Sequence, residues 1–63
     1  MAKDVEIQVA THRTTDAAIL VEFGGEENVW IPKSQISDYT GDDIDHAESI
    51  FIPEWLATEK GMV

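Results

Sequence analysis

The side chains able to do chemistry in this 63-residue chain are His12, His46 and the acidic run Asp42-Asp43-Ile44-Asp45-His46-Ala47-Glu48. Histidine titrates near neutrality and suits proton transfer. Carboxylates joined by an imidazole can hold a metal ion. Neither chemistry develops further in the sequence. No Gly-x-Ser-x-Gly elbow or other nucleophile motif accompanies the histidines, and each lies in a polar stretch, as an ordinary exposed histidine does. The acidic run lacks the alternating carboxylates and late glutamate of a calcium loop, and Gly41 precedes the run instead of turning inside it. With no cysteine there is no thiolate metal site and no disulfide. Gly24-Gly25 has no Gly-Lys-Ser/Thr downstream and is followed by Glu26 and Glu27, which repel phosphate. A chain this short also leaves little volume for a pocket of roughly 300 Å³ or more. The expectation is a protein that is not an enzyme, with no catalytic residue, metal or cofactor.

Charge points to binding instead. Thirteen acidic residues face four basic ones, a net charge of −9. Nucleic-acid binding draws much of its affinity from neutralised phosphates, so this balance argues against it unless Lys3, Arg13, Lys33 and Lys60 share one face. The single-strand version would use Trp30, Lys33 and Arg13, with bases stacking on the indole. Trp30, however, sits in an apolar stretch and reads as core, because burying an aromatic is worth much in a small domain. A strong acidic field favours a protein partner with a basic surface, or serves solubility alone. The residues expected to carry such protein binding are Asp38, Asp42, Asp43, Asp45 and Glu48. Carboxylates can also imitate the phosphate spacing of DNA and occupy a nucleic-acid channel.

The elements that must position these residues are short strands. Met1 to Asp4 read as frayed. Val5-Glu6-Ile7-Gln8-Val9 alternates strictly, as a half-buried strand does. Thr11 to Asp16 reads as a polar loop. Ala17 to Phe23 is rich in β-favouring residues, and its continuous Ile19-Leu20-Val21 suits a strand buried on both faces or placed centrally. Gly24-Gly25 predicts a tight hairpin turn, returning through Asn28 to Ile31. Pro32 ends that strand or lies on an edge. Lys33-Ser34-Gln35 predicts a single helical or 3-10 turn, with Ile36 directed to the core. Ser37 to Glu48 reads as a solvated acidic loop and Ser49 to Ile52 as a last strand. Pro53 starts a helix over 53–60, Glu54 suits its dipole, Gly61 caps its end, and Trp55 and Leu56 pack inward.

One mainly β domain over 1–63 follows: a small antiparallel barrel or curled sheet of SH3-like or OB-like kind. It has four to five short strands and a C-terminal helix that plugs the barrel or lies on one face. A chain of this size buries only roughly 60% of its unfolded surface, so homo-oligomer formation is an open possibility. No apolar run approaches the roughly 20 residues that span a bilayer, and Asp4, Glu6 and Gln8 interrupt any signal-peptide core. Soluble, cytoplasmic character is expected.

Two stretches taken together, AILVEFGGEENVWIPKSQI and PEWLATEKGM, resemble small uncharacterised proteins of bacteriophages and mobile elements. In that group a hairpin leads into W-[IL]-P-[KR]-S, and the chain closes on a P-x-W-L-A-x-x-K-G helix. Trp30, Ile31, Pro32, Lys33 and Ser34 match the first motif; Pro53, Trp55, Leu56, Ala57, Lys60 and Gly61 match the second. The resemblance covers about residues 17–62. It implies a phage or mobile-element origin and action in a bacterial host cytoplasm, and it brings no activity and no functional residue. The functional expectation is an acidic accessory protein that inhibits a host nucleic-acid-handling or defence enzyme. The alternatives are a single-strand nucleic-acid-binding barrel and an oligomer-forming structural subunit.

Overall fold

The computed structural model describes residues 3–25 and 27–63. It holds six strands: β1 (Asp4–Gln8), β2 (Ala10–Thr14), β3 (Ala18–Glu22), β4 (Val29–Pro32), β5 (Asp38–Gly41) and β6 (Ala47–Pro53), followed by helix α1 (Glu54–Glu59). Single 3-10 turns at Lys33–Gln35 and Ile44–His46 precede β5 and β6. The strands form two antiparallel sheets, ordered β1-β6-β5 and β2-β3-β4.

Val9 alone separates β1 from β2, and its N–H donates to Glu48 O at 3.0 Å. The chain thus passes from one sheet to the other with no loop between. Thr11 Oγ1 adds a second tie between the sheets, donating to Ala47 O at 3.3 Å. The inner faces meet in one core of Ile7 (β1), Ile19 and Val21 (β3), Ile31 (β4), Ile50 and Ile52 (β6) and Leu56 and Ala57 (α1). Ile19, Val21, Ile31, Ile50 and Ile52 are wholly buried, each worth about 1.5–3 kcal/mol of apolar burial. β-Branched side chains suit this role because their stiff χ1 packs well on a pleated surface.

The sheets are not closed into a barrel, which corrects the barrel expectation. Lys33 N–H donates to Ala17 O at 2.8 Å, so the hydrogen-bonded pairs of the β3–β4 ladder are those of Ile31 and Val29, and the backbone groups of Trp30 and Pro32 point to the free edge. Pro32 has no N–H to offer there. The chain then turns through Lys33–Gln35 and joins the other sheet.

Two stretches read as loops are strands. β2 has the exposure of an edge strand, and β5 is exposed along its whole length. With little to bury, neither shows apolar alternation; Thr11 and Thr14 in β2, and Tyr39 and Thr40 in β5, are the β-favouring residues that carry the remaining signal. Asp4, expected to fray, opens β1; Met1 and Ala2 lie outside the described residues. The turn between β3 and β4 spans 23–28, longer than the expected tight hairpin, and Glu26 in it is also outside the described residues.

β5 ends at Gly41, where the pairing with β6 shifts register. Gly41 has φ +115°, and a Cβ there would stand 2.7 Å from His46 O, so only glycine lets the acidic turn fold back this closely.

Helix α1 packs against β6 and β1, with Leu56 and Ala57 buried. Pro53 is the last residue of β6 and stands just before the helix, one position earlier than expected. Glu54 N–H is taken by Lys3 O at 2.6 Å. At the other end Met62 N–H donates to Ala57 O and Gly61 N–H to Thr58 O, at 2.8 and 3.1 Å. With Gly61 at φ +76°, this is a Schellman closure.

Candidate functional site

Successive side chains of a strand point to opposite faces, so the buried inner residues fix what each sheet shows outside. On the β2-β3-β4 sheet, Ile19, Val21 and Ile31 point inward, and Leu20 and Trp30 point outward. Arg13, Leu20 and Trp30 are consecutive partners across the three strands and form one row. Ala18 and Pro32 form the next row. The pairing shifts between Thr11 and Arg13, and His12 at this irregularity reaches Glu22 Oε1 at 2.9 Å.

Trp30 is 43% exposed and Trp55 55% exposed. This overturns the expectation that both pack into the core. The core needs branched aliphatics between closely packed sheets, and the strand period puts Trp30 opposite Ile31. Trp55 lies next to the buried pair Leu56 and Ala57 on a helix of under two turns, so it is left outside. The two indoles line one depression of about 480 Å³, open to solvent, with Pro32, Gln35, Glu59 and Lys60. A second open notch, of about 600 Å³, lies between Glu6, Thr40 and Glu48. Both volumes exceed what the chain length suggested, but both are surface features.

The β1-β6-β5 sheet shows a different exterior. Glu6, Phe51 and Asp38 form one outward row, and Gln8, Ser49 and Thr40 the next. Ser49 is buried and polar; its Oγ donates to Glu6 Oε2 at 2.9 Å and lies 2.7 Å from Thr40 Oγ1. Asp4 Oδ2 accepts from Ser37 Oγ at 2.7 Å.

The five acidic residues selected from the sequence do different things. Asp38 is exposed at the start of β5, and its Oδ1 accepts from Tyr39 N–H at 2.8 Å. Asp42 and Glu48 are exposed. Asp43 caps the second 3-10 turn: its Oδ1 accepts from His46 N–H and lies 2.9 Å from His46 Nδ1. That hydrogen bond holds the Asp43 carboxyl below its usual value and raises the His46 imidazole above its own. Asp45 is half-buried and pairs with Lys33 Nζ at 2.8 Å. Its Oδ1 is shut from solvent without a well-aligned hydrogen bond, so the ammonium balances it by charge alone.

Lys33 therefore ties the end of β4 to the acidic turn and does not join Trp30 and Arg13 outside. Of the proposed nucleic-acid set, the fold brings together Trp30 and Arg13. Sequence reasoning missed Trp55 and Leu20 as outward residues. The period-2 alternation around buried Ile19, Val21 and Ile31 is the signal that places Leu20 outside. Among the described residues no three His, Asp or Glu side chains converge as metal ligands. No described helix is long and apolar enough to cross a membrane.

Comparison of the chain with known protein families, with curated proteins and with solved structures finds no match.

Proposed function

We propose that this chain is a non-catalytic acidic accessory protein that binds a basic protein partner, of the class that handles nucleic acid, and blocks the surface that partner offers to phosphates. The observation that supports this reading is the grouping of carboxylates on one side. Asp4, Glu6 and Asp38 stand outward on the β1-β6-β5 sheet, and Asp42, Asp43 and Glu48 are exposed around the adjoining turn. Such a field steers a cationic surface toward it and repels nucleic acid. The phage or mobile-element origin and the bacterial cytoplasm suggested by the sequence resemblance belong to this proposal.

The test is capture from a bacterial lysate at low and high salt, beside the triple variant Asp38→Asn, Asp42→Asn, Glu48→Gln. These three residues are chosen because Asp43 and Asp45 also hold the turn together. Basic nucleic-acid-handling proteins should be retained at low salt, released at high salt and lost by the variant. The same proteins bound equally by both forms would overturn the reading.

One observation favours a second reading. Exposed Trp30 stands in the Arg13 row, which suits stacking and phosphate contact by a single-stranded nucleic acid. An oligonucleotide titrated at low salt, where this electrostatic attraction is strongest, should then quench tryptophan emission. Unchanged emission rejects that use of the face.

A further inference from the structure

We infer that the Trp30–Trp55 face is the contact surface of a two-fold dimer of this chain. The inference goes beyond the proposed partner binding and does not rest on it, because it concerns the opposite exterior of the molecule.

The chain's two tryptophans are both on this face and both about half exposed. Leu20, Ala18 and Pro32 extend the apolar area across β3 and β4. Tryptophan and arginine around an apolar centre are the composition of energetically dominant interface residues.

Charge decides which occupant fits. The face carries Arg13 and Lys60 against Glu22 and Glu59, so these four charges balance. Six other acidic residues, Asp4, Glu6, Asp38, Asp42, Asp43 and Glu48, stand on or beside the β1-β6-β5 sheet. A second copy of the chain brings the same −9 and is repelled where the acidic sheet faces it. On this face it meets Arg13 and Lys60 as well as carboxylates. In a two-fold contact the same patch meets itself, which sets Arg13 and Lys60 of one copy near Glu22 and Glu59 of the other. Pro32 withholds a donor from the β4 edge, which disfavours extension of the sheet there. Burying this face also answers the shortage of core in so small a chain. The two acidic sheets of such a dimer look outward in opposite directions, which makes it a bivalent acidic particle.

The test is solution mass from micromolar to millimolar protein, with tryptophan emission followed on dilution, at low and high salt. A particle of twice 7.0 kDa is expected, with emission shifting to the blue as it forms. Association should tighten as salt rises, since salt screens the repulsion between two −9 copies. Trp30→Ala and Trp55→Ala should each weaken dimerisation by about tenfold or more. Arg13→Glu is the companion variant, expected to weaken it while far-UV circular dichroism stays unchanged. The far-face variant Asp42→Asn should dimerise at least as well as the parent. A monomer at every concentration and salt would overturn the inference. So would a dimer that Trp30→Ala, Trp55→Ala and Arg13→Glu all leave intact, or a monomer whose indoles are quenched by an oligonucleotide.

Discussion

The two sheets have nearly the same inside and opposite outsides. Inward, both show isoleucine and valine. Outward, β1-β6-β5 shows Asp4, Glu6, Asp38 and a hydroxyl row around Phe51, while β2-β3-β4 shows Leu20, Trp30 and Pro32 with Arg13 and Glu22. The difference teaches that a strand carries two messages in alternate letters. One specifies the fold and is interchangeable between sheets. The other is free to differ, and here it divides the surface into an acidic side and an aromatic side.

Adjacent residues of β4 offer the strongest way to break this comparison. Ile31→Ala should cost about 2–5 kcal/mol in chemical denaturation, whereas Trp30→Ala should cost roughly 1 kcal/mol in the monomer. Equal losses would mean that Trp30 serves the core and not a face. Gly41→Ala comes next, at about 1–3 kcal/mol, because it forces a Cβ against His46 O on the acidic side. A neutral result in thermal unfolding would show that the turn relaxes freely. Lys33→Met should cost about 1 kcal/mol by stranding the buried Asp45 oxygen, with part of the loss recovered when Asp45→Asn is added. If the second change recovers nothing, Lys33 and Asp45 do not act as a pair.

The smallest effect is a titration. His46 has its pKa raised above the usual 6.5 by Asp43, and Asp43 has its own lowered below 3.8 by His46. The imidazolium contribution is complete below pH 6.5 and fades as pH rises through the folded-state value. The carboxylate contribution is complete above pH 3.8 and fades as pH falls through its folded-state value. The turn is therefore firmest between about pH 3.8 and 6.5. Proton NMR of His46 should titrate above 6.5, and Asp43→Asn should bring it down. Both groups are exposed, so global stability should scarcely move.

Where a strand buries one face, the sequence announces it. Val5-Glu6-Ile7 and Ile19-Leu20-Val21 give β1 and β3, and Pro53, Glu54 and Gly61 frame α1 to within a residue. Where a strand is exposed along its length, as β5 is, no burial pattern forms and it passes for a loop. The site was harder to read for a related reason. An apolar side chain on the core face and one left outside differ only in register, so Trp30 and Trp55 passed for core. The acidic residues were easy to find, yet their separate duties were not. Spacing alone could not show that Asp45 meets Lys33 across twelve residues, or that Asp43 is occupied by His46.

The order β1-β6-β5 has a consequence for how the chain folds. Asp4–Gln8 pairs with Ser49–Pro53, so this ladder joins the two ends of the described chain. The β2-β3-β4 meander, by contrast, uses neighbours in sequence. Closing a long loop costs more entropy than closing a short one, and non-local pairings are the slow ones. The β1–β6 ladder is therefore expected to close last, after the sequence-local β2-β3-β4 and β5–β6 pairings. Mutations at Ile7 or Ile52 should then speed unfolding more than they slow folding, and the reverse should hold at Ile19. Until β1 and β6 meet, the nascent chain already presents Trp30 but not the finished acidic sheet.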